Sequence, residues 1–171
     1  MSIAHTHKDI LDTVSAYEKL LEQVTDELFV TTPAAGGWSY AEVFAHIFNS
    51  NITCIQAIDK CIQGAAVESD AGMSLGVRLV FFFKRFPPGK FKVPNRLKDQ
   101  VKKINKQEAH ELIRRFKDEL SQITPLVGTA RSNQKLKHPR LGLLNAVKWY
   151  EFIDIHTKHH RKQLVRISKG Q

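Results

Sequence analysis

"WYEFIDIHTKHHRKQLVRI", residues 149–167, has the period of a helix, and histidines interrupt its inward face. From Trp149 and Ile153, steps of three and four lead to His156, His160, Gln163 or Leu164, and Ile167. The competing face, Phe152, Ile155 and His159, runs on into Lys162 and Arg166, which seek water. His156 and His160 therefore belong to the buried stripe, with His159 at its edge. Residues at i and i+4 have Cβ atoms about 5–6 Å apart. Two imidazoles so placed can bind one ion, with nitrogens about 2.0–2.1 Å from it.

Outward from this stretch, the chain reads as further helices. A stripe of Ile10, Val14, Tyr17, Leu21, Val24 and Leu28 predicts one helix from about His7 to Val30, ended by Pro33 and a glycine pair. Ser39 with Glu42 is a capping box, with Trp38 ahead of it as a hydrophobic staple, and opens a helix that runs to Gly64. "GMSLGVRLVFFFKRF" predicts an apolar helix from 71 to about 86, stopped by Pro87-Pro88-Gly89. Asn105 with Glu108 caps a helix carrying Ala109, Leu112, Ile113, Phe116, Leu120 and Ile123. The last helix starts at Asn145. No alternating strand pattern competes with these elements, so the expected architecture is all-α, a bundle of four to five helices forming a single domain over residues 1–171.

Composition and charge narrow the function classes. Of the 171 residues 42% are hydrophobic and 25% charged, a globular balance. The longest strongly apolar run, "LVFFF" at 79–83, falls far short of the roughly 20 residues of a membrane span. With no signal-peptide pattern at the start, a cytoplasmic protein without a membrane partner is expected. Cys54 and Cys61 lie on one helix about 10 Å apart, beyond disulfide reach, and read as reduced core residues.

The net charge of +9 is uneven: three basic and ten acidic side chains in 1–70, ten and one in 71–107, thirteen and six in 108–171. The basic stretch 84–106 would suit nucleic acid or another anionic partner. It lacks a recognition-helix or RNA-binding pattern, so a solvated surface loop and helix start is the preferred reading.

A third inward histidine comes from the helix after Ser39. From Val43 the inward positions are His46, Ile47, Ser50 and Cys54. A buried imidazole needs a partner, and three of them from two helices would each need one. They are either a polar core cluster or ligands of one metal. His5 and His7 fall near a frayed terminus and His110 on a polar face. His138, in "HPRLG", sits in a loop; it and His159 are candidates to orient a ligand or shuttle protons.

"GGWSYAEVFAHI" (36–47) resembles the W-S-x-x-E-hydrophobic-x-x-H signature of DinB-like (YfiT-like) proteins. "HPRLGLLNAVKWYEFIDIHTKHHRKQL" (138–164) is similar to their C-terminal H-P-x-x-G loop and helix ending in H-x-x-H-H-x-x-Q. The resemblance implies a four-helix bundle in which His46, His156 and His160 bind a metal. It also implies kinship with bundle domains of transferases and isomerases that use low-molecular-weight thiols, in a family that includes members without established activity.

Three neutral ligands leave a divalent ion its full charge and an open position, as in a catalytic site. Zinc and nickel both suit imidazole. The expected function is thus a metal-dependent enzyme of the thiol S-transferase or hydrolase kind, acting on a small molecule, with the catalytic residues themselves unassigned. The alternatives are a bundle that binds metal or a small ligand without catalysis, and an anionic-partner protein using 84–106. A homodimer is compatible with any of these.

Overall fold

Helices α1 (Ile3–Gln23), α3 (Tyr40–Ile62), α5 (Lys106–Ile123) and α6 (Ala146–Lys169) form a four-helix bundle in a computed structural model that describes residues 2–34, 36–87 and 102–169. α3 packs against both α5 and α6, and α1 lies along α6. Two short α-helices, α2 (Asp26–Val30) and α4 (Leu75–Phe83), and a 3-10 helix over Thr124–Thr129 complete the helical set among the described residues.

The apolar interior centres on α3. Phe44 and Phe48 meet Tyr17 of α1 edge-on, with ring centroids 5.4 and 5.5 Å away. Phe48 also touches Phe116 of α5 at 5.7 Å, and Phe44 touches Phe29 of α2 at 5.4 Å. All five rings are 0–1% exposed.

Both capping boxes form. Ser39 and Glu42 exchange hydrogen bonds at the start of α3, as do Asn105 and Glu108 at α5. Asn145 Oδ1 accepts from the Lys148 amide and starts α6.

Four expectations need correction. The helix expected over 7–30 is two, because Thr25 caps a new one: its side chain accepts from Leu28 N, and Asp26 and Glu27 fill the first turn. That break turns Phe29 into the core and leaves Leu28 partly buried. The start of α1 is not frayed at His7. Ser2 caps the helix, and His7 Nδ1 lies 2.9 Å from Tyr150 Oη and 3.0 Å from Thr124 Oγ1. The apolar helix begins at Leu75 behind a Ser74 cap, and ends at Phe83 with Lys84 in the left-handed region (φ 49°).

The fourth correction is a three-stranded antiparallel sheet, β1 (Val67–Glu68), β2 (Gln134–His138) and β3 (Gly142–Asn145). β2 and β3 form a hairpin with Leu136 opposite Leu144 and His138 opposite Gly142. Its turn holds Gly142 at φ +73°, a conformation glycine adopts freely. These strands of two to five residues are too short for a periodicity to stand out.

α4 is moored to the bundle by charge. Asp154, buried on α6, has Lys158 Nζ 2.8 Å from Oδ1 and 3.1 Å from Oδ2; only the Oδ2 contact is aligned as a hydrogen bond. Lys84 Nζ stands 3.5 Å from the same carboxylate, and Lys158 also reaches Asp9 of α1 at 2.7 Å. Of the basic stretch 84–106, residues 88–101 lie outside the described residues, and so does the loop expected there. No helix among the described residues is long and apolar enough to cross a membrane.

Candidate metal centre

The seam between α3 and α6 brings His46, His156 and His160 together. Each offers a ring nitrogen, and these atoms all lie within 4.8 Å of one another. Ring centroids are 4.7–5.3 Å apart, with every pair meeting edge-on. The three side chains are 6–8% exposed. No other group of three or more metal-ligating side chains appears among the described residues.

Burial sets the protonation of the cluster, since removing water disfavours a charged ring. It holds the His46 imidazole down at about 4, aided by nearby His159. It holds His160 at about 3, with His46 and His159 adding to the shift. His156 is pushed well below the ordinary histidine range by burial, then by His160 and His46. All three are neutral near pH 7. Each has one N–H and one lone pair, the form in which imidazole binds a metal.

Hydrogen bonds decide which nitrogen carries the lone pair. His156 Nδ1 lies 3.0 Å from Asn51 Oδ1. Thr157 Oγ1 donates to the Ile153 carbonyl, so toward Asn51 it can only accept, and it takes the Asn51 amide proton at 3.1 Å. The amide is thereby oriented with its oxygen on His156, which must donate from Nδ1. His160 Nδ1 likewise faces Gln163 Oε1 at 2.8 Å. His46 Nδ1 has the longer contact, 3.5 Å to Ser50 Oγ. In His156 and His160, holding Nδ1 in this way leaves the Nε2 lone pair for a metal, the usual arrangement behind a ligating histidine.

Aromatic rings wall the cluster. Trp38 lies 5.0 Å from His46 and nearly parallel to His160 at 6.3 Å. Phe152 stacks on His156 at 5.2 Å.

His159 is half-buried at the rim, against His160 and Phe86, each 5.1 Å away. Burial, then Arg166 and Lys162, lowers its pKa. His138 ends β2. Its Nδ1 accepts from the Arg140 and Leu141 amides at 3.1 Å, and its ring packs on Trp149 and Phe152. The Phe152 ring thus touches both His138 and His156, while the His138 Nδ1 is occupied within its own hairpin. Glu42 is engaged by the Ser39 amide and hydroxyl at 2.9 and 2.8 Å, as its capping role predicts.

Sequence reasoning missed Asn51 and gave Trp38 only a staple's role. The available signal for Asn51 was an uncharged amide one position from the inward stripe of a mostly apolar helix. Nothing in the local sequence reports that Trp38 reaches across to α6.

The fold is similar to that of TT2238, a four-helix bundle protein of known crystal structure. The TM-score is 0.62 at 16% identity, covering 96% of this chain and 99% of that one. No curated protein matches the chain. The DinB superfamily model matches residues 11–164, a span that includes both capping boxes and all three clustered histidines, and the chain belongs to that superfamily.

Proposed function

We propose that the protein is a metal-dependent enzyme of the thiol S-transferase or hydrolase kind, with His46, His156 and His160 holding one divalent ion. The observation that carries this reading is the donor set: three buried, neutral imidazoles whose Nδ1 atoms face oxygen partners. Three neutral nitrogens suit zinc or nickel. When bound, such an ion supplies Lewis acidity at an open position, enough to bring the pKa of a water or small thiol toward neutrality.

The chain's own residues do the rest. Asn51 and Gln163 fix the ring orientations, while Trp38 and Phe152 keep bulk water from the cluster. We assign His159, half-buried beside His160, as the group that takes the proton released by a thiol or water. We read residues 1–171 as one domain, in a cytoplasmic setting that keeps Cys54 and Cys61 reduced.

The test has two stages. Protein loaded with zinc or nickel and desalted should retain one ion per chain, and His156→Ala and His160→Ala should retain none. A panel of small thiols with electrophilic acceptors, and of simple esters and amides, should then show turnover that a chelator abolishes. Wild type that retains no metal would make the cluster a polar core feature and end the proposal. The narrow exposure of the three ligands favours a second reading, a bundle that holds metal without turnover. Metal retention without activity across the panel would select it.

A further inference from the structure

α4 presents an apolar ridge to solvent. Leu75, Leu79 and Phe82 follow one another by four and three residues and so share a helix face. They are 71, 46 and 79% exposed, and Phe83 beside them is 55% exposed. The helix is not loosely attached. Val80 and Phe81 are buried on its other side, Ser74 caps its start, and Lys84 pairs with Asp154 at its end.

The fringe of the ridge is cationic. Residues 71–87 contain Arg78, Lys84 and Arg85 and no acidic side chain. Behind the ridge, a groove of about 400 Å³ between α4 and α6 is lined by Phe81 and Phe82 together with Arg78, Lys84, Lys148 and Glu151. Lys148 has its own partner there, Glu151 at 2.6 Å.

Apolar side chains that need cover, on a segment whose charged side chains are all cations, match the surface of an anionic bilayer. There, Phe and Leu enter the headgroup–acyl boundary while Arg meets phosphate. A second copy of the chain fits less well, because a two-fold contact through this face would set one cationic fringe against the other. We propose that α4 docks the protein on anionic lipid bilayers, with Leu75, Leu79, Phe82 and Phe83 entering the membrane surface and Arg78 and Arg85 contacting lipid phosphates. A nine-residue helix lies on a bilayer and does not cross it. Phe86, just beyond α4, touches His159 at the rim of the histidine cluster, so a docked molecule holds that rim close to the lipid.

Co-sedimentation of the full chain with phosphatidylcholine vesicles, with and without phosphatidylglycerol, tests this. Binding is expected only to the anionic vesicles, and should weaken as salt rises. Phe82→Glu should lower the partition coefficient roughly tenfold or more, since the ring leaves the boundary and a negative charge approaches the lipid. Arg114→Gln lowers the net charge by the same one unit on exposed α5 and should leave most of the binding. Circular dichroism melting confirms that both variants fold. Three results would overturn the proposal: no binding to anionic vesicles, equal loss in the two variants, or a stable dimer that Phe82→Glu converts to monomer.

Discussion

α3 has two buried seams that could hardly differ more. Toward α1 and α5 it presents Phe44 and Phe48 to Tyr17 and Phe116, rings whose one polar atom, the Tyr17 hydroxyl, donates to the Thr157 carbonyl at 2.9 Å. Toward α6 it presents His46 and Asn51 to His156, Thr157 and His160. Both are buried, yet only the first is what hydrophobic burial would build unaided. Burying polar groups gains nothing over apolar packing unless every one is satisfied. The α3–α6 seam gives its Nδ1 atoms oxygen partners and brings three ring nitrogens within 4.8 Å of one another. The apolar seam therefore supplies stability, and the polar seam supplies a site whose existence folding did not require.

The sharpest attack on this division is Phe48→Ala. Removing a fully buried ring should cost about 3–5 kcal/mol, read from urea unfolding, while metal per folded molecule stays unchanged. A metal loss out of proportion to unfolding would mean that the seams are coupled.

Acid tests the polar seam from the other side. An imidazole held at about 4 in the fold, against 6.5 when unfolded, takes up its proton more readily in the unfolded chain. Its neutral form is therefore compatible with full stability above pH 6.5, and stability falls as pH drops from 6.5 toward 4. His160 extends the window toward 3. Metal-free wild type should lose about 3 kcal/mol or more between pH 7 and pH 4, and a His46→Leu variant measurably less. Equal losses would place the acid sensitivity elsewhere.

At pH 7 His46→Leu should separate the two roles. Metal affinity should fall about a hundredfold or more, whereas the metal-free melting temperature should hold or rise, because only a 3.5 Å contact to Ser50 is lost. Asn51→Ala should cost about 10–100-fold in metal affinity by freeing the His156 ring, with isothermal titration as the measurement. His159→Ala should change affinity least, by no more than about threefold, since its ring sits at the rim.

The parts of this molecule legible in the sequence are those where local rules and burial agree. Ser39–Glu42 and Asn105–Glu108 place two helix starts, and the stripe through Trp149, Ile153, His156 and His160 places the cluster on the correct face of α6. Failures come where the deciding partner is remote or the element is short. The stripe through Val24 and Leu28 reads as continuous because a capping threonine breaks a helix without breaking hydrophobic period. "QKLKH" holds a single apolar residue, and five residues ahead of a proline read equally well as loop. The role of Asn51 depends on Thr157, 106 positions away, and no spacing rule connects them. "LVFFF" shows that α4 is apolar all round, not which side the bundle covers.

Cys54 and Cys61 carry a practical consequence. Both are buried and unpaired, and burial raises each thiol above its ordinary range, with a backbone hydrogen bond at Leu136 partly opposing this for Cys61. Neither presents a nucleophilic sulfur to solvent while the bundle is closed. A chromogenic disulfide reagent should therefore record only the added small thiol in an assay of the proposed thiol chemistry, with no background from the folded protein. The same reagent without added thiol becomes a clock for opening of the bundle, since two sulfurs per chain become reactive only when the seam around α3 comes apart.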